Sequence, residues 1–256
     1  MTARILFVGA GPGAADLLTL RAARAIADAD VVIWASSLVH EDVLEHARDD
    51  AEILDSKVLT LEDVLAVYRR ARDSGLTVAR IHSGDPGVYG ALQEQLEAAD
   101  ELGIDWEVIP GVTSVAATSA AVGRELTVPE VAQSVVMTRM ATRTPMPEGE
   151  ELRELARHGT TMALFLSASR PKRLQEELLA GGYAPDCPCV VGYRVSWPDE
   201  RTEVCRLDEL AATIRAMQVT MHTLVLVGPA LAARGTRSNL YSPGFAHTHR
   251  PAVADA

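Results

Sequence analysis

The stretch Ile5-Leu6-Phe7-Val8-Gly9-Ala10-Gly11-Pro12-Gly13 is a short apolar run closed by glycines and a proline, and the pattern returns twice. One recurrence is Gly84-Asp85-Pro86-Gly87-Val88-Tyr89-Gly90, the other Pro110-Gly111-Val112-Thr113-Ser114, each behind its own apolar run. All three read as loops at strand carboxyl ends. In an open parallel sheet such loops gather on one rim, where ligands bind outside the strand ends. A single glycine loop needs no more explanation than a tight turn; three in succession point to a small-molecule enzyme.

Gly9, Gly11 and Ala14 also fit a dinucleotide-binding fingerprint. That fingerprint calls for a carboxylate after the second strand to hold a ribose hydroxyl. Here Val31-Val32-Ile33-Trp34 runs into Ala35-Ser36-Ser37, and Asp30 lies before the strand. Pro12 removes a backbone N–H from the turn that would cradle a pyrophosphate, and Asp16 puts negative charge where that phosphate would sit. A dinucleotide-dependent oxidoreductase is thereby disfavoured.

Strand and helix patterns alternate through the first half, as in βαβ units. Strands are expected over 4–8, 31–34, 52–54, 77–81 and 106–109, and helices over 16–27, 41–47, 61–73, 88–102 and 114–122. The helix over 61–73 repeats Leu61, Val64, Leu65 and Tyr68 at i, i+3, i+4 and i+7 and stops at Gly75. Thr113 is placed to cap the last of them. After Gly123 the style changes. Strands over 134–138, 161–166, 189–195, 202–206 and 222–227 come closer together, with helices over 150–157, 171–179 and 207–217. The 189–195 and 202–206 pair reads as an antiparallel hairpin with a long tip at Trp197-Pro198-Asp199-Glu200. The expected fold class is α/β with two α/β domains: residues 1–122 around a mostly parallel sheet and 123–245 around a mixed sheet, followed by a tail over 246–256. A cleft between such domains is a favoured place for a ligand.

The 256 residues are 48% hydrophobic and 23% charged, enough for a full core. No apolar run approaches a membrane span, and Met1-Thr2-Ala3-Arg4 carries no signal-peptide pattern, so the expected location is cytoplasmic, without a membrane partner. A net charge of -11 argues against nucleic acid as a partner. Within that acidic total, residues 131–147 hold Arg139 and Arg143 and no acid, as a local patch for a polyanionic small molecule would. Cys187, Cys189 and Cys205 lack zinc-pair spacing, and the seven histidines form no ligand pair, so no metal site is expected.

Together these motifs resemble the tetrapyrrole methyltransferases that use S-adenosylmethionine. The carriers are Gly-Ala-Gly-Pro-Gly at 9–13, the Gly84 to Gly90 loop, Pro110 to Ser114, and Ala163-Leu164-Phe165-Leu166-Ser167. Finer likeness, to the branch acting on carbon 11 of precorrin-4 in cobalamin biosynthesis, lies in Ser37-Leu38-Val39, in His82-Ser83, in Arg139 to Pro147, in Tyr193 to Glu200, and in Ser238 to Phe245. The resemblance covers the chain from about Arg4 to Phe245. It implies two α/β domains with the cofactor in the cleft between them, a homodimer, and a tetrapyrrole substrate. It also implies a cofactor pocket of Pro12, Ser83, Gly84, Asp85, Val88, Tyr89, Thr113, Ser114, Leu166, Tyr193, Arg194 and Val195. Arg139, Arg143 and Arg194 are expected to meet the substrate's carboxylates. Where several relatives have an aspartate after the second strand, this chain has Ser36, which leaves Ser36 as the one weak catalytic candidate. Sibling enzymes acting at other ring carbons share the three loops, and a tetrapyrrole-binding protein without turnover is the reading outside the enzyme classes.

Overall fold

The computed structural model describes residues 2–251. It divides into two compact units, Met1–Ala121 with Arg194–Arg201, and Val122–Tyr193 with Thr202–Ala256.

In the first unit, β1 (Arg4–Gly9), β2 (Val31–Trp34), β3 (Glu52–Asp55), β4 (Thr77–His82) and β5 (Asp105–Ile109) form one sheet in the order β3-β2-β4-β1-β5. Every pairing is parallel, with Val8 opposite Ile81 and Ile109. All five carboxyl ends therefore share one rim. Alternate residues of a strand point to opposite faces. Leu6, Val8, Val32 and Ile81 accordingly pack on Ala22 and Ile26 of helix α1 (Leu20–Ala27). Ile5, Phe7, Ile33 and Val78 pack on Val64, Tyr68 and Ala71 of α2 (Leu61–Ser74) and on Ala99 of α3 (Leu92–Glu101). Thr60 and Asp63 close a capping box on α2, and Gly75 ends it at φ 68°.

Two expected helices of this unit begin later than their sequence pattern. The one over 16–27 is a 3-10 turn, Ala15–Leu17, then α1, because the Thr19 side chain accepts the Ala22 N–H and starts a new helix there. The one over 88–102 begins only at Leu92. Tyr89 and Ala91 have φ of 55° and 47°, so the backbone before it is a left-handed loop rather than helix. The segment over 41–47 is a 3-10 helix, Glu41–His46. Helix α4 (Ser114–Ala121) has Thr113 at its start, with its Oγ1 accepting the Ala116 N–H.

The second unit holds β6 (Val135–Arg139), β7 (Thr161–Phe165), β8 (Pro188–Tyr193), β9 (Arg201–Arg206) and β10 (Thr223–Val227) in the order β6-β7-β10-β8-β9. β6 and β7 are parallel, whereas β10 runs antiparallel to β7 and β8, making a mixed sheet. One core of Met162, Leu164, Val191 and Val225 packs on α5 (Leu152–Ala156), α6 (Pro171–Ala180) and α7 (Leu210–Met217). The strand expected over 189–195 ends at Tyr193. Arg194 and Ser196 take φ of 44° and 71°, which turns the chain off the sheet. Cys187, Cys189 and Cys205 are free thiols; burial pushes Cys187 up to about 11, away from reactivity.

Candidate active site

The three glycine loops follow β1, β4 and β5, which are neighbours in the sheet. Gly11 and Gly84 exchange both backbone hydrogen bonds, at 3.1 and 2.7 Å, and Ala10 N–H donates to the His82 carbonyl. The third loop is drawn in by Asp85. Its Oδ2 accepts the Gly111 N–H at 2.9 Å, while Oδ1 accepts the Gly87 N–H at 2.8 Å and shapes its own turn. Such closeness needs bare backbone: a Cβ on Gly111 would collide with the Gly84 carbonyl oxygen, and one on Gly9 would stand 2.5 Å from the Gly111 nitrogen.

Asp85 therefore spends both oxygens on backbone donors. Beside it Ser83 is exposed, Gly84 takes φ 63° with room off its Cα, and Thr113 and Ser114 are half-buried. Val88 is half-buried and Tyr89 is exposed in its left-handed conformation. Beneath them His82 is only 7% exposed, and its Nε2 has no hydrogen-bond partner among the described residues. Burial, then the charge of Arg80, lowers its pKa to about 3, so the imidazole is neutral.

The first loop has a second support. The Trp197 indole N–H donates to the Pro12 carbonyl at 3.0 Å, and Ser196 Oγ accepts the Ala14 N–H at 3.0 Å. His40 meets the Trp197 ring edge-on at 4.9 Å. The Arg194 guanidinium lies 4.9 Å from the same ring, a cation–π distance, while pairing with Asp199 at 2.8 Å. Gly13, Ala14, Asp16, His40, Asp42 and Trp197 line a cavity of about 380 Å³ beside Pro12. Val195 is buried next to this segment in sequence.

At the carboxyl end of β2, Ser36 is held by Asp55 from the end of β3. Ser36 Oγ–H donates to Asp55 Oδ2 at 2.6 Å, and Ser36 N–H to Oδ1 at 3.1 Å. The Lys57 backbone N–H and ammonium also reach Asp55, at 3.1 and 3.0 Å. The Ser36 hydroxyl first, with these further donors, holds the Asp55 carboxyl far below the ordinary carboxylate range.

The remaining expected residues lie in the second unit. Leu166, just past β7, is 63% exposed at φ 52°, and Tyr193 closes β8 opposite Thr223. Arg139 donates to the carbonyls of Thr144 and Pro145, at 3.2 and 2.8 Å, and so fastens its own loop; Arg143 is exposed. Sequence reasoning missed Asp55, Ser196 and Trp197 as site residues. Only the Trp-Pro-Asp-Glu run signalled the last of them, and nothing in sequence pairs Ser36 with a carboxylate nineteen positions on. No group of three or more potential metal ligands occurs among the described residues.

Comparison with known proteins agrees with this architecture. A cobalt-precorrin-4 C(11)-methyltransferase of Methanocaldococcus jannaschii is 42% identical over 96% of both chains. A precorrin-4 C(11)-methyltransferase of Pseudomonas aeruginosa is also 42% identical, over 96% of this chain and 98% of its own. Among solved structures, a cobalt precorrin-4 methyltransferase of cobalamin biosynthesis superposes with TM-score 0.87 at 38% identity, over 90% of this chain and 96% of that one. A uroporphyrin-III C-methyltransferase from Thermus thermophilus, solved with S-adenosyl homocysteine, gives 0.75 at 31% identity over 89% and 98%. The family model for tetrapyrrole (corrin/porphyrin) methylases matches residues 4–211, and with these relatives it settles the family: the chain is a tetrapyrrole methylase.

Proposed function

We propose that this protein transfers a methyl group from S-adenosylmethionine to carbon 11 of precorrin-4, giving precorrin-5 and S-adenosylhomocysteine, in cobalamin biosynthesis. The observation that carries the reading is the clasp of three glycine loops on one sheet rim, in a chain 42% identical over nearly its whole length to one enzyme named for that reaction and to another named for the same methylation of cobalt-precorrin-4.

The residues present suit a sulfonium cofactor. Around the clasp, Ser83, Thr113 and Ser114 offer neutral hydroxyls, Gly84 leaves open backbone, and His82 beneath is neutral and sets no positive charge against a cation. Pro12, Asp85, Val88, Tyr89, Arg194 and Val195 complete the set within the first unit. When bound, the cofactor brings a methyl already activated on sulfur, so the hard chemistry is its own. The protein's part is placement. Asp85 and the crossed Gly11–Gly84 bonds hold the loops in register, and Trp197 fixes the Pro12 carbonyl. Near-attack positioning of two reactants supplies on the order of 7 to 11 kcal/mol, enough for an electron-rich ring carbon to attack without a strong base. Arg143 is the exposed candidate for substrate carboxylates, with Arg139 shaping the loop that carries it.

On the same reading the enzyme is a cytoplasmic homodimer, which light scattering tests against twice the 27.4 kDa chain mass. Its relatives are named for both cobalt-precorrin-4 and precorrin-4, so both substrates belong in the assay. Calorimetry with S-adenosylmethionine, S-adenosylhomocysteine and NAD tests the class. Binding of the first two without NAD supports the methyltransferase; binding of NAD alone overturns it, and silence for all three favours a binding protein without turnover.

A further inference from the structure

Ser36 and Asp55 sit at the carboxyl ends of adjacent strands, on the rim that carries the three glycine loops, and β2 is the direct neighbour of β4. Their bonding leaves a defined polarity. A serine hydroxyl has one hydrogen and two lone-pair directions. Here the hydrogen goes to Asp55 Oδ2 at 2.6 Å and the Ser36 N–H to Oδ1 at 3.1 Å, so Asp55 grips Ser36 at two points. Toward anything else on the rim, Ser36 Oγ is an acceptor only, backed by an anion.

That anion is itself fixed. Lys57 reaches it through backbone N–H and ammonium, at 3.1 and 3.0 Å. The next residue, Ser56, donates its hydroxyl to the Trp34 carbonyl at 3.0 Å and accepts from the half-buried Arg80 guanidinium at 3.1 Å, anchoring the turn from below. With four donors on its two oxygens, Asp55 is a poor proton acceptor. Its effect on a ligand is transmitted through the orientation of the Ser36 hydroxyl.

We propose that Ser36 Oγ accepts a hydrogen bond from a ring N–H of the tetrapyrrole, and that Asp55 is a positioning residue that holds the Ser36 hydroxyl in the accepting orientation. This role rests on the reaction proposed above. It is a binding role: no proton changes owner, and a ligand group that is itself an acceptor, such as a carboxylate, is turned away from this point of the rim.

Asp55→Asn supplies the test. The carbonyl of the introduced amide can keep the Ser36 and Lys57 backbone N–H groups, while its NH2 faces Ser36 Oγ and turns the hydroxyl hydrogen outward. We expect KM for precorrin-4 to rise about three- to tenfold, the worth of one hydrogen bond, with kcat, S-adenosylmethionine affinity and melting temperature nearly unchanged. Ser36→Ala should raise KM to a similar extent, and Asp55→Asn added to Ser36→Ala should raise it no further. That non-additivity is the signature a purely structural role would not give. Unchanged KM in both single variants, or a loss of melting temperature with additive effects, would reduce Asp55 to a turn cap and overturn the proposal while wild-type turnover upholds the reaction. Wild-type protein that fails to methylate precorrin-4 would overturn the reaction and this role together.

Discussion

The Asp85 carboxylate joins the loop after β4 to the loop after β5, with Oδ2 2.9 Å from the Gly111 nitrogen. Its other oxygen takes the Gly87 N–H, so the acid most suggestive of cofactor binding acts on the site through the backbone it holds. Hydrogen bonds to a charged group are the stronger kind.

Asp85→Ala should therefore cost about 2 kcal/mol of stability and, by letting the loops separate, weaken S-adenosylmethionine binding further. Urea unfolding and calorimetry on one preparation check both. Unchanged cofactor affinity would contradict this role.

Gly111→Ala addresses the same clasp from the opposite side. The added methyl meets the Gly84 carbonyl, and relieving it forces two loops apart. Overpacking typically costs about 1 to 3 kcal/mol. We expect loss of that order with cofactor binding abolished. A control at Gly103, where a Cβ meets nothing within 4 Å among the described residues but φ is 65°, should lose stability alone.

Trp197→Phe keeps an aromatic ring beside His40 and Arg194 but removes the donor to the Pro12 carbonyl. Stability should fall by about 1 kcal/mol, and KM for the tetrapyrrole should rise more than KM for the cofactor. Steady-state kinetics with each substrate varied separates the two.

His82 gives a pH dependence with a definite sign. Its folded pKa is lowered from 6.5 to about 3, so between those values the unfolded chain binds the extra proton. Its contribution is fully present above about pH 6.5 and is lost as pH falls toward about 3, at about 1.4 kcal/mol per unit. His82→Gln should remove that slope from denaturant midpoints measured between about pH 4 and about pH 7. A wild-type slope equal to the variant's would show that His82 is not buried neutral.

Much of this was legible in the chain. The alternation of strands with helices such as the one expected over 61–73, and the three Gly-Pro loops, implied two α/β halves and placed Gly84, Asp85, Thr113 and Ser114 on one rim. What stayed hidden depends on contacts distant in sequence. Propensity continues a helix through 88–91, but Tyr89 and Ala91 are turned left-handed within the loop. Arg194 and Val195 read as strand, yet they begin the excursion that carries Trp197 to Pro12, 185 positions away. Ser36 reads as a turn residue until the fold sets Asp55 against it.

The most direct measurement is carbon-13 NMR of the product formed from precorrin-4 and S-adenosylmethionine labelled in its methyl group. One labelled methyl on carbon 11 and one equivalent of S-adenosylhomocysteine are expected. A labelled methyl on any other ring carbon would contradict the assigned position, and absence of transfer to both cobalt-precorrin-4 and precorrin-4 would contradict the proposed reaction.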